Sequence, residues 1–335
     1  MGTVKQPWPL IAIVGPTACG KTALALRLAE EFDGEIVNYD SVQLYRGFDI
    51  GSGKLPLAER RAIPHHLLDV VSPEEVFTAG DYRRRATQVL EEIRRRGRLP
   101  ILAGGTGLYL RALLDGLFPG PGRSAELRSR LQAMAKRRGR EFVHRLLRRL
   151  DPRAAARIGC RDLAKVVRAA EVSVLTRQPI SALQAQGREG LEGFHAIKIG
   201  FGPRRDRLYE RINRRTEAMF AAGLMEETRR MLSHPDASSL KPLGALGYRQ
   251  ARAAILGEMT FAQAVQASQK ATRHYAKRQM TWFRREQEVR WFAGFADDPA
   301  VQEEVLSWLE KNLRKGIPVA GSWLEARSAP GNPRT

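Results

Sequence analysis

The feature that most constrains the fold is a glycine-rich loop near the start of the chain. It reads Gly-Pro-Thr-Ala-Cys-Gly-Lys-Thr over residues 15–22, after the apolar stretch 10–14 and before a stretch with helical spacing at 22–32. In a strand–loop–helix unit of this kind, backbone N–H groups and the helix N-terminus bind phosphate oxygens. The lysine neutralises phosphate charge and the threonine hydroxyl binds Mg²⁺. The pattern predicts a phosphate-binding loop without identifying the phosphate compound.

Predicted strands and predicted helices alternate over the first part of the chain. Strands are predicted at 10–14, 35–38 and 99–103, with helices at 22–32, at 78–96 and after the glycine-rich segment 104–107 through 114. This alternation indicates parallel pairing in a doubly wound α/β sheet. Because ligands of such sheets bind at the carboxyl ends of the strands, we expect Asp40 and Thr106 to lie beside the glycine loop.

The pattern changes at the loop cluster 118–122. Helices rich in arginine are predicted over 125–188, a strand at 195–202, helices at 207–222, 224–232 and 261–285, and a last strand at 289–292. The predicted fold is α/β, a P-loop NTPase-like parallel sheet core with an all-helical insertion domain and a helical C-terminal part. Its predicted parts are the first part of the core at 1–119, the insertion at 120–194, the return to the core with C-terminal helices at 195–315, and a disordered tail at 316–335.

The charge of the chain favours a polyanionic partner. Lys and Arg number 56 against 36 Asp and Glu, which gives a net charge of +20. Such a field attracts nucleic acid, although a generally basic proteome or solubility would also explain it. No apolar run approaches the roughly 20 residues of a membrane helix. The only cysteines, Cys19 and Cys160, cannot form a disulfide framework or a zinc module, so we expect a cytoplasmic protein.

Several polar residues are candidates for chemistry, each with a structural alternative. Asp40 follows a predicted strand and could bind magnesium or accept a proton, or it could cap a helix. Arg207, Arg211 and Arg214 are spaced to share one helical face. That face could stabilise a diphosphate leaving group, or it could simply be solvated.

Three further segments have two interpretations each. The basic and aromatic residues at 277–279 and 282–285 could hold phosphates and stack on bases, or they could divide between solvent and core. The segment 244–250 could be a loop that approaches a ligand with its backbone, or an ordinary turn. His65 and His66 have no second ligand pair at metal spacing, so they are expected to support local packing.

Taken together, these segments resemble the bacterial tRNA dimethylallyltransferase family. The matching segments are GPTACGKT at 15–22, DSVQLYRGFDIGSGK at 40–54, PHHLLDV at 64–70, GGTGLYLRALLDGL at 104–117, LYERINRR at 208–215, GALGYRQ at 244–250 and ATRHYAKRQMTWFRR at 271–285. They span roughly the first 290 residues in the family's order. The resemblance implies transfer of a dimethylallyl group from dimethylallyl diphosphate to the exocyclic N6 amine of the adenosine 3′ to the anticodon of tRNA. Diphosphate is released, and Mg²⁺ is the cofactor.

The resemblance also implies roles for individual residues. The catalytic residues that the resemblance implies are Asp40 as general base, Thr17 near the reacting centre and Arg214 at the leaving diphosphate. The diphosphate-binding residues would be Gly15, Pro16, Thr17, Ala18, Cys19, Gly20, Lys21 and Thr22, with Thr22 also near Mg²⁺. The residues that contact tRNA would be Asp40, Ser41, Val42, Gln43, Thr106, Arg128, Lys165, Arg168, Gly247, Tyr248, Arg249, Gln250, Lys277, Arg278, Gln279, Trp282 and Arg284. The helical insertion would grip the anticodon stem-loop, and the target adenine would enter a channel opposite the prenyl donor.

The chain departs from the family pattern in the insertion, where Gly159, Cys160, Arg161, Asp162 and then Lys165 replace the usual His-Pro-Asn-Asp and arginine.

Other functions remain open from the motifs alone. They are a P-loop kinase of a small metabolite, an adenylate prenyltransferase and an RNA-binding P-loop protein without prenyl chemistry. The high positive charge and the arginine-rich insertion argue against a small acceptor. We expect a monomer, because the chain shows no long heptad pattern.

Overall fold

A six-stranded parallel sheet forms the centre of the larger of two compact units. The structure, a computed structural model, describes residues 7–316. The strands are β1 (Trp8–Val14), β2 (Gly34–Asn38), β3 (His65–His66), β4 (Leu99–Ala103), β5 (Phe194–Phe201) and β6 (Val289–Phe292). They lie in the order β3-β2-β4-β1-β5-β6 and pair in parallel throughout. The predicted α/β fold class is therefore confirmed.

Thirteen α-helices occur in the described part of the chain. They are α1 (Lys21–Phe32), α2 (Ala79–Arg95), α3 (Gly107–Leu114), α4 (Ala125–Arg138), α5 (Arg140–Leu150), α6 (Pro152–Arg157), α7 (Leu163–Thr176), α8 (Ile180–Ala185), α9 (Arg205–Ala221), α10 (Leu224–Leu232), α11 (Tyr248–Ile255), α12 (Phe261–Phe283) and α13 (Pro299–Gly316). None of the helices within residues 7–316 is both long and apolar enough to cross a membrane.

The central strand shows why both faces of the sheet are covered. In β1, Leu10, Ala12 and Val14 pack into one hydrophobic cluster, which also includes residues of α2, α3, α11 and α12. The alternate residues Ile11 and Ile13 pack into a second cluster with α1 and α13. Successive side chains of a strand point to opposite faces, so an unbroken apolar strand requires a helical layer on each side.

Helix ends in the core follow local chemistry. The Thr78 side chain accepts a hydrogen bond from the Asp81 N–H, and Asp81 accepts one from the Thr78 N–H, which forms a capping box before α2. After α2, Gly97 takes a left-handed φ of 72°. The structure therefore places this helix within one residue of the predicted 78–96 at each end.

Three loops meet at the carboxyl edge of the sheet because their strands are neighbours. Ala103 at the end of β4 pairs with Asn38 of β2 on one side and with Ile13 of β1 on the other. Beyond the strand ends, the Tyr39 N–H donates to the Ala103 carbonyl at 3.1 Å, and the Thr106 N–H donates to the Tyr39 carbonyl at 3.2 Å. These hydrogen bonds extend the sheet contacts into the loops that carry Asp40 and Thr106.

The second unit comprises residues 115–190 and contains α4 to α8. Its own core includes Leu131, Val143, Leu147 and Val166. The structure thus divides the chain at 115 and 190, whereas the sequence pattern places the insertion at 120–194. Of the predicted tail 316–335, only Gly316 is described, as the last residue of α13, and the rest lies outside the described residues.

One local prediction is corrected in the C-terminal part of the core. Residues 248–250 are not loop but the first turn of α11. The helix begins after Gly247, whose φ is 85°, and the Gly247 N–H donates to Gln250 Oε1 at 3.0 Å. The polar end of the glycine-rich segment is therefore the N-terminus of a helix, where free backbone N–H groups need a side-chain acceptor such as Gln250 Oε1.

Candidate functional site

The phosphate loop requires glycine at two positions. Residues 15–22 connect β1 to α1, and Gly20 at the helix N-cap has φ 90°, a conformation that favours glycine. A Cβ on Gly20 would lie 2.5 Å from Asp297 Oδ1, and a Cβ on Gly15 would lie 3.0 Å from Cys19 Sγ. The loop is thus packed closely on both sides, and its backbone N–H groups lie at the positive end of α1.

Lys21 folds back over the loop that precedes it. Its ammonium donates to the Gly15 carbonyl at 3.0 Å and to the Pro16 carbonyl at 2.7 Å. Burial lowers the pKa of Lys21, since a cation loses hydration there. The next residue, Thr22, is exposed at the N-terminus of α1 and lines the cleft. Both side chains are therefore placed where an anion bound to the loop would meet them.

Asp40 lies beyond the carboxyl end of β2 in a turn, not at the start of a helix. Its Oδ1 accepts from the Val42 N–H at 2.9 Å, and its own N–H donates to Asn38 Oδ1 at 2.9 Å. Burial raises the pKa of the Asp40 carboxyl, while backbone N–H groups and the nearby cations Lys21 and Arg215 oppose that rise. A carboxylate with a raised pKa is a better proton acceptor, so this environment suits a general base.

The loop after β4 lies directly against Asp40. Thr106 Oγ1 accepts from the Ser41 N–H at 2.9 Å and lies 3.1 Å from Ser41 Oγ. A Cβ on Gly105 would lie 3.0 Å from Asp40 Oδ2. The absence of a side chain at Gly105 therefore leaves room for the carboxylate. Asp40 and Thr106 lie together, as their positions after strand ends predict.

The three arginines predicted to share a face of α9 do not share one environment. Arg207 is exposed and pairs with Glu210. Arg211 Nη1 donates to both carboxylate oxygens of Asp297 at 2.7 and 2.9 Å, so part of its charge is already neutralised. Arg214 is exposed but lines the cleft that contains the phosphate loop.

The neighbouring Arg215 was missed by the sequence interpretation. It lines the same cleft, its Nη2 lies 3.5 Å from the Gly53 carbonyl, and it interacts electrostatically with Asp40. Although solvent reaches this side chain through the cleft, many protein atoms surround it, and burial lowers its pKa. A signal was present, because Arg215 lies four positions after Arg211 and so on the same side of the helix.

Two cavities of the larger unit meet beside Asp40. One has a volume of about 1440 Å³ and includes Lys21, Thr22 and Arg214 in its wall. The other has a volume of about 470 Å³. The residues that line both are Thr17, Ala18, Asp40, Ser52, Arg215, Met219 and Tyr275. Ligands that enter the two cavities would therefore meet at Thr17, Asp40 and Arg215.

Several residues predicted to contact tRNA line these cavities. Gln43 lines the larger one. The smaller one is lined by Ser41, Val42, Gly247, Arg249 and Arg278. Arg249 and Arg278 are exposed, so their guanidinium groups are accessible to a phosphate.

Tyr248 and Gln250 have structural roles instead of exposed positions. The Tyr248 side chain is fully buried, and its hydroxyl donates to Glu227. The Glu227 carboxylate in turn accepts three backbone N–H groups of residues 49–51 at 3.0 to 3.2 Å. Gln250 is also buried, where it caps α11. These two side chains support the loop wall of the cavities, and neither is available to an RNA ligand.

The Glu227 cluster predicts a large effect on stability. Glu227→Ala would leave three partly buried backbone N–H groups and the buried Tyr248 hydroxyl without their acceptor, which should cost about 3 kcal/mol in the free energy of unfolding. Urea unfolding measures this cost. The matched control is Glu226→Ala, since Glu226 is exposed and pairs only loosely with Arg229 at 3.8 Å. Equal stability of the two variants would contradict the assignment.

The basic and aromatic residues of α12 divide between solvent and core. Lys277, Arg278 and Arg284 are exposed. Trp282 is partly buried, with the Arg111 guanidinium 4.3 Å from the centre of its ring, and Phe283 is fully buried. The basic side chains are therefore free to meet phosphates, whereas both aromatic rings contribute to packing. Gln279 is buried among the loops described above and is considered below.

In the smaller unit, two of the predicted tRNA contacts hold a buried carboxylate. Glu171 accepts from Arg128 at 3.1 Å and from Arg168 at 2.8 Å. Burial alone would raise the pKa of Glu171, but the hydrogen bonds from Arg168 and from the Ser124 N–H, together with the charges of both arginines, outweigh burial and lower it. Lys165 is exposed and pairs with Asp162 at 2.6 Å. Of the three, Lys165 is therefore the most available to a ligand.

The paired histidines have local protein partners. His66 Nε2 lies 2.6 Å from Glu35 Oε2, and His65 Nδ1 lies 2.8 Å from the Ile63 carbonyl. No group of three or more His, Cys, Asp or Glu side chains within residues 7–316 is placed to hold a metal ion. A divalent ion that binds mainly through phosphate and water needs few protein ligands, and the exposed hydroxyl of Thr22 beside the loop fits that kind of site.

Known proteins resemble this chain over most of its length. The family model described as IPP transferase matches residues 43–286. A protein of Solibacter usitatus named tRNA dimethylallyltransferase is 52% identical over 91% of this chain and 99% of its own length. Another of that name, from Koribacter versatilis, is 53% identical over 89% of this chain and 96% of its own length.

Solved structures show the same fold. The full-length tRNA isopentenylpyrophosphate transferase of Bacillus halodurans is similar with a TM-score of 0.67 and 33% identity, over 96% of this chain and 99% of that one. A eukaryotic dimethylallyltransferase solved acting on tRNA has a TM-score of 0.79 at 23% identity, over 93% and 80% of the two chains, which supports the fold alone. The IPP transferase family model matches most of the chain, and these two relatives are more than 50% identical to it along nearly their full length. The chain therefore belongs to the IPP transferase family.

Proposed function

We propose that this chain is a tRNA dimethylallyltransferase, which moves the dimethylallyl group of dimethylallyl diphosphate to the N6 amine of the adenosine 3′ to the anticodon. The observation that carries the proposal is the meeting of two cavities at Asp40, Thr17 and Arg215, one of them at a phosphate loop. The relatives' names identify the donor group and the acceptor. The larger cavity would hold the donor diphosphate and the smaller one the adenine.

Asp40 is the proposed proton acceptor. The bond between N6 of the adenine and C1 of the donor forms while the bond between C1 and the diphosphate oxygen breaks. The amine proton passes to the Asp40 carboxylate, and the diphosphate leaves with the electron pair. The raised pKa of Asp40 makes it a stronger base than an exposed aspartate, and its turn holds it at the junction of the cavities.

The leaving diphosphate is proposed to be stabilised by the loop N–H groups, Lys21 and an arginine of α9. The family resemblance points to Arg214 for that arginine. Arg215 is the better candidate on geometry, because it lines both cavities and interacts with Asp40, whereas Arg214 lines only the larger one. Thr22 would hold Mg²⁺, which when bound supplies further positive charge to the diphosphate oxygens.

The acceptor must reach the junction as an unstacked base. A base within a stack cannot present its amine to a carbon inside a protein cavity, so the nucleotide has to be extruded. A cavity of about 470 Å³ accommodates a base but not a helix. The exposed Arg249 and Arg278 in its wall would then meet the flanking phosphates.

The 115–190 unit is proposed to bind tRNA through backbone phosphates. Exposed basic side chains lie in the last turns of two of its helices, at Lys136, Arg137, Arg138, Arg148 and Arg149. Such a surface binds nucleic acid through phosphate charge with little dependence on sequence. A monomeric state and a cytoplasmic location stay predictions.

The test is a labelled-prenyl transfer assay with purified protein, Mg²⁺ and dimethylallyl diphosphate, in which the acceptor is either unmodified tRNA with an A-rich anticodon loop or free AMP. Label in tRNA alone is the expected result. Label in AMP would instead identify a nucleotide prenyltransferase. No label in either acceptor, with tRNA still bound, would contradict the prenyl chemistry.

The acid side of the pH profile reports on Asp40. Burial raises its pKa, so the enzyme should lose activity by protonation of Asp40 at a pH above the pKa of an ordinary aspartate. Below this pH, on the acid limb of the profile, the single-turnover rate should fall about tenfold per pH unit. The cations Lys21 and Arg215 and the phenol of Tyr275 face the carboxyl. Since a cation lowers that pKa, Arg215→Gln should move the limb to higher pH. A limb that stays in place in this variant would contradict the assignment.

A further inference from the structure

A buried amide on α12 connects two of the loops that form the site. Gln279 is only 5% exposed. Its Oε1 accepts from the Thr17 N–H at 2.7 Å, and its Nε2 donates to the Gly105 carbonyl at 2.9 Å. Both ends of the amide are therefore used, one on the phosphate loop and one on the loop after β4.

The contact at Gly105 is reinforced by a second residue of α12. Tyr275, one turn before Gln279, donates its hydroxyl to the same carbonyl at 3.1 Å. A Cβ on Gly105 would lie 2.8 Å from Gln279 Nε2 and 3.0 Å from Asp40 Oδ2. The Gln279 amide and the Asp40 carboxylate therefore both lie close to Gly105. Gln279 thus lies beside the place where the chemistry is proposed to occur.

The same helix carries exposed basic residues. Lys277 and Arg278, directly before Gln279 in the chain, are exposed and are candidates to bind RNA phosphates. Because Gln279 is buried and its amide is bound to two backbone groups, its side chain is not available to RNA. A single helix, α12, therefore joins the proposed RNA-binding side of the site to the phosphate loop.

We infer that Gln279 is a positioning residue for the transfer step, which holds Thr17 and Gly105 in register with Asp40, and that it does not contact tRNA. The inference rests on the proposed function for its catalytic consequence, but the hydrogen bond to Thr17 can be tested by itself. Reactions between two bound partners depend steeply on placement, and a misplacement of about 1 Å costs about 10²-fold in rate.

The kinetic experiment compares Gln279→Leu, Gln279→Glu and wild type. Gln279→Leu removes both hydrogen bonds and should slow single-turnover transfer about 10²-fold, while the Kd for tRNA stays within about twofold. Gln279→Glu keeps an acceptor for Thr17 and should retain a rate between those of the other two. Lys277→Gln is the reference for a lost RNA contact and should weaken tRNA binding. A raised tRNA Kd for Gln279→Leu, with an unchanged rate once tRNA is bound, would overturn the inference.

A second measurement does not depend on activity. Hydrogen exchange of the peptide that contains Thr17 should be faster in Gln279→Leu than in wild type, and should stay slow in Gln279→Glu. Unchanged exchange in Gln279→Leu would refute the connection between the loops. Wild-type protein that transfers no prenyl group, but shows the expected exchange, would reject the proposed function and leave the positioning role supported. Should Gln279→Leu fail to fold, the Gln279→Glu variant decides, since loss of protection there would also refute the connection.

Discussion

Replacing Asp40 by asparagine is expected to slow prenyl transfer by about 10²- to 10⁴-fold, with little change in the affinity for tRNA. Asparagine keeps an oxygen that can accept from the Val42 N–H, so the turn that holds residue 40 should persist. It cannot accept the amine proton at neutral pH. The loss should therefore appear in the single-turnover rate at saturating tRNA and dimethylallyl diphosphate, and not in the binding constants.

Stability gives an independent control for this variant. Burial raises the pKa of Asp40, so ionisation is less favourable in the folded protein than in the unfolded chain. A group of this kind contributes stability at low pH that is lost as the pH rises from its unfolded pKa through its folded one. At neutral pH the neutral asparagine should therefore raise Tm. A lowered Tm would indicate that the slow transfer of this variant results from damage to the fold.

The matched comparison for the rate is Asp236→Asn, because Asp236 is an exposed carboxylate in the turn that follows α10. This variant should transfer prenyl groups at the wild-type rate. Near-normal transfer by Asp40→Asn would show that another group, or water, accepts the proton. Weaker tRNA binding with an unchanged rate would instead make Asp40 a recognition residue.

The second large effect is expected at Arg215. Arg215→Gln should lower the transfer rate about 10²- to 10³-fold, the cost of removing one preorganised donor from a developing charge. Arg214→Gln should cost less than about tenfold. The reason for the difference is position, since Arg215 lines both cavities beside Asp40 and Arg214 lines only the larger one. Both variants carry the same chemical change on adjacent residues of α9, so each serves as the control for the other.

The readouts for these two variants are the single-turnover rate and the affinity for inorganic pyrophosphate with Mg²⁺. A loss confined to transfer would indicate stabilisation of the transition state, whereas equal losses in transfer and in pyrophosphate binding would indicate uniform binding. A larger effect for Arg214→Gln than for Arg215→Gln would restore the assignment that the family resemblance suggests.

Much of the fold followed from local pattern. Five of the six strands, the phosphate loop and the helix over residues 79–95 were predictable, because strand and helix periodicity and capping chemistry are local properties, whereas the two-residue strand β3 was missed. Neighbouring strand ends also placed Asp40 near Thr106. The start of α11 was missed, since a glycine followed by polar residues is typical of a loop as well as of a helix N-terminus.

The roles of single side chains were less predictable. Tyr248, Gln250 and Gln279 occur in segments that match the family's tRNA-contacting regions, yet the structure buries all three. Linear pattern cannot tell an inward-facing polar residue from an outward-facing one when both occur in a motif. Burial depends on which elements pack against the segment, and those elements are far away in the chain. Glu227, which anchors residues 49–51 from α10, is the clearest example.

The sequence by itself determined the class of fold, the phosphate loop, the positive charge that suits RNA and, through its motifs, the family. Only the tertiary structure decided which arginine of the adjacent pair Arg214 and Arg215 reaches the junction of the cavities, and that the buried Gln279 amide hydrogen-bonds to two loops of the site. The physical reason is that motifs record residues within one segment. A hydrogen bond such as that between Gln279 and Thr17 joins positions 262 residues apart, and its geometry exists only after the sheet and its helices have packed.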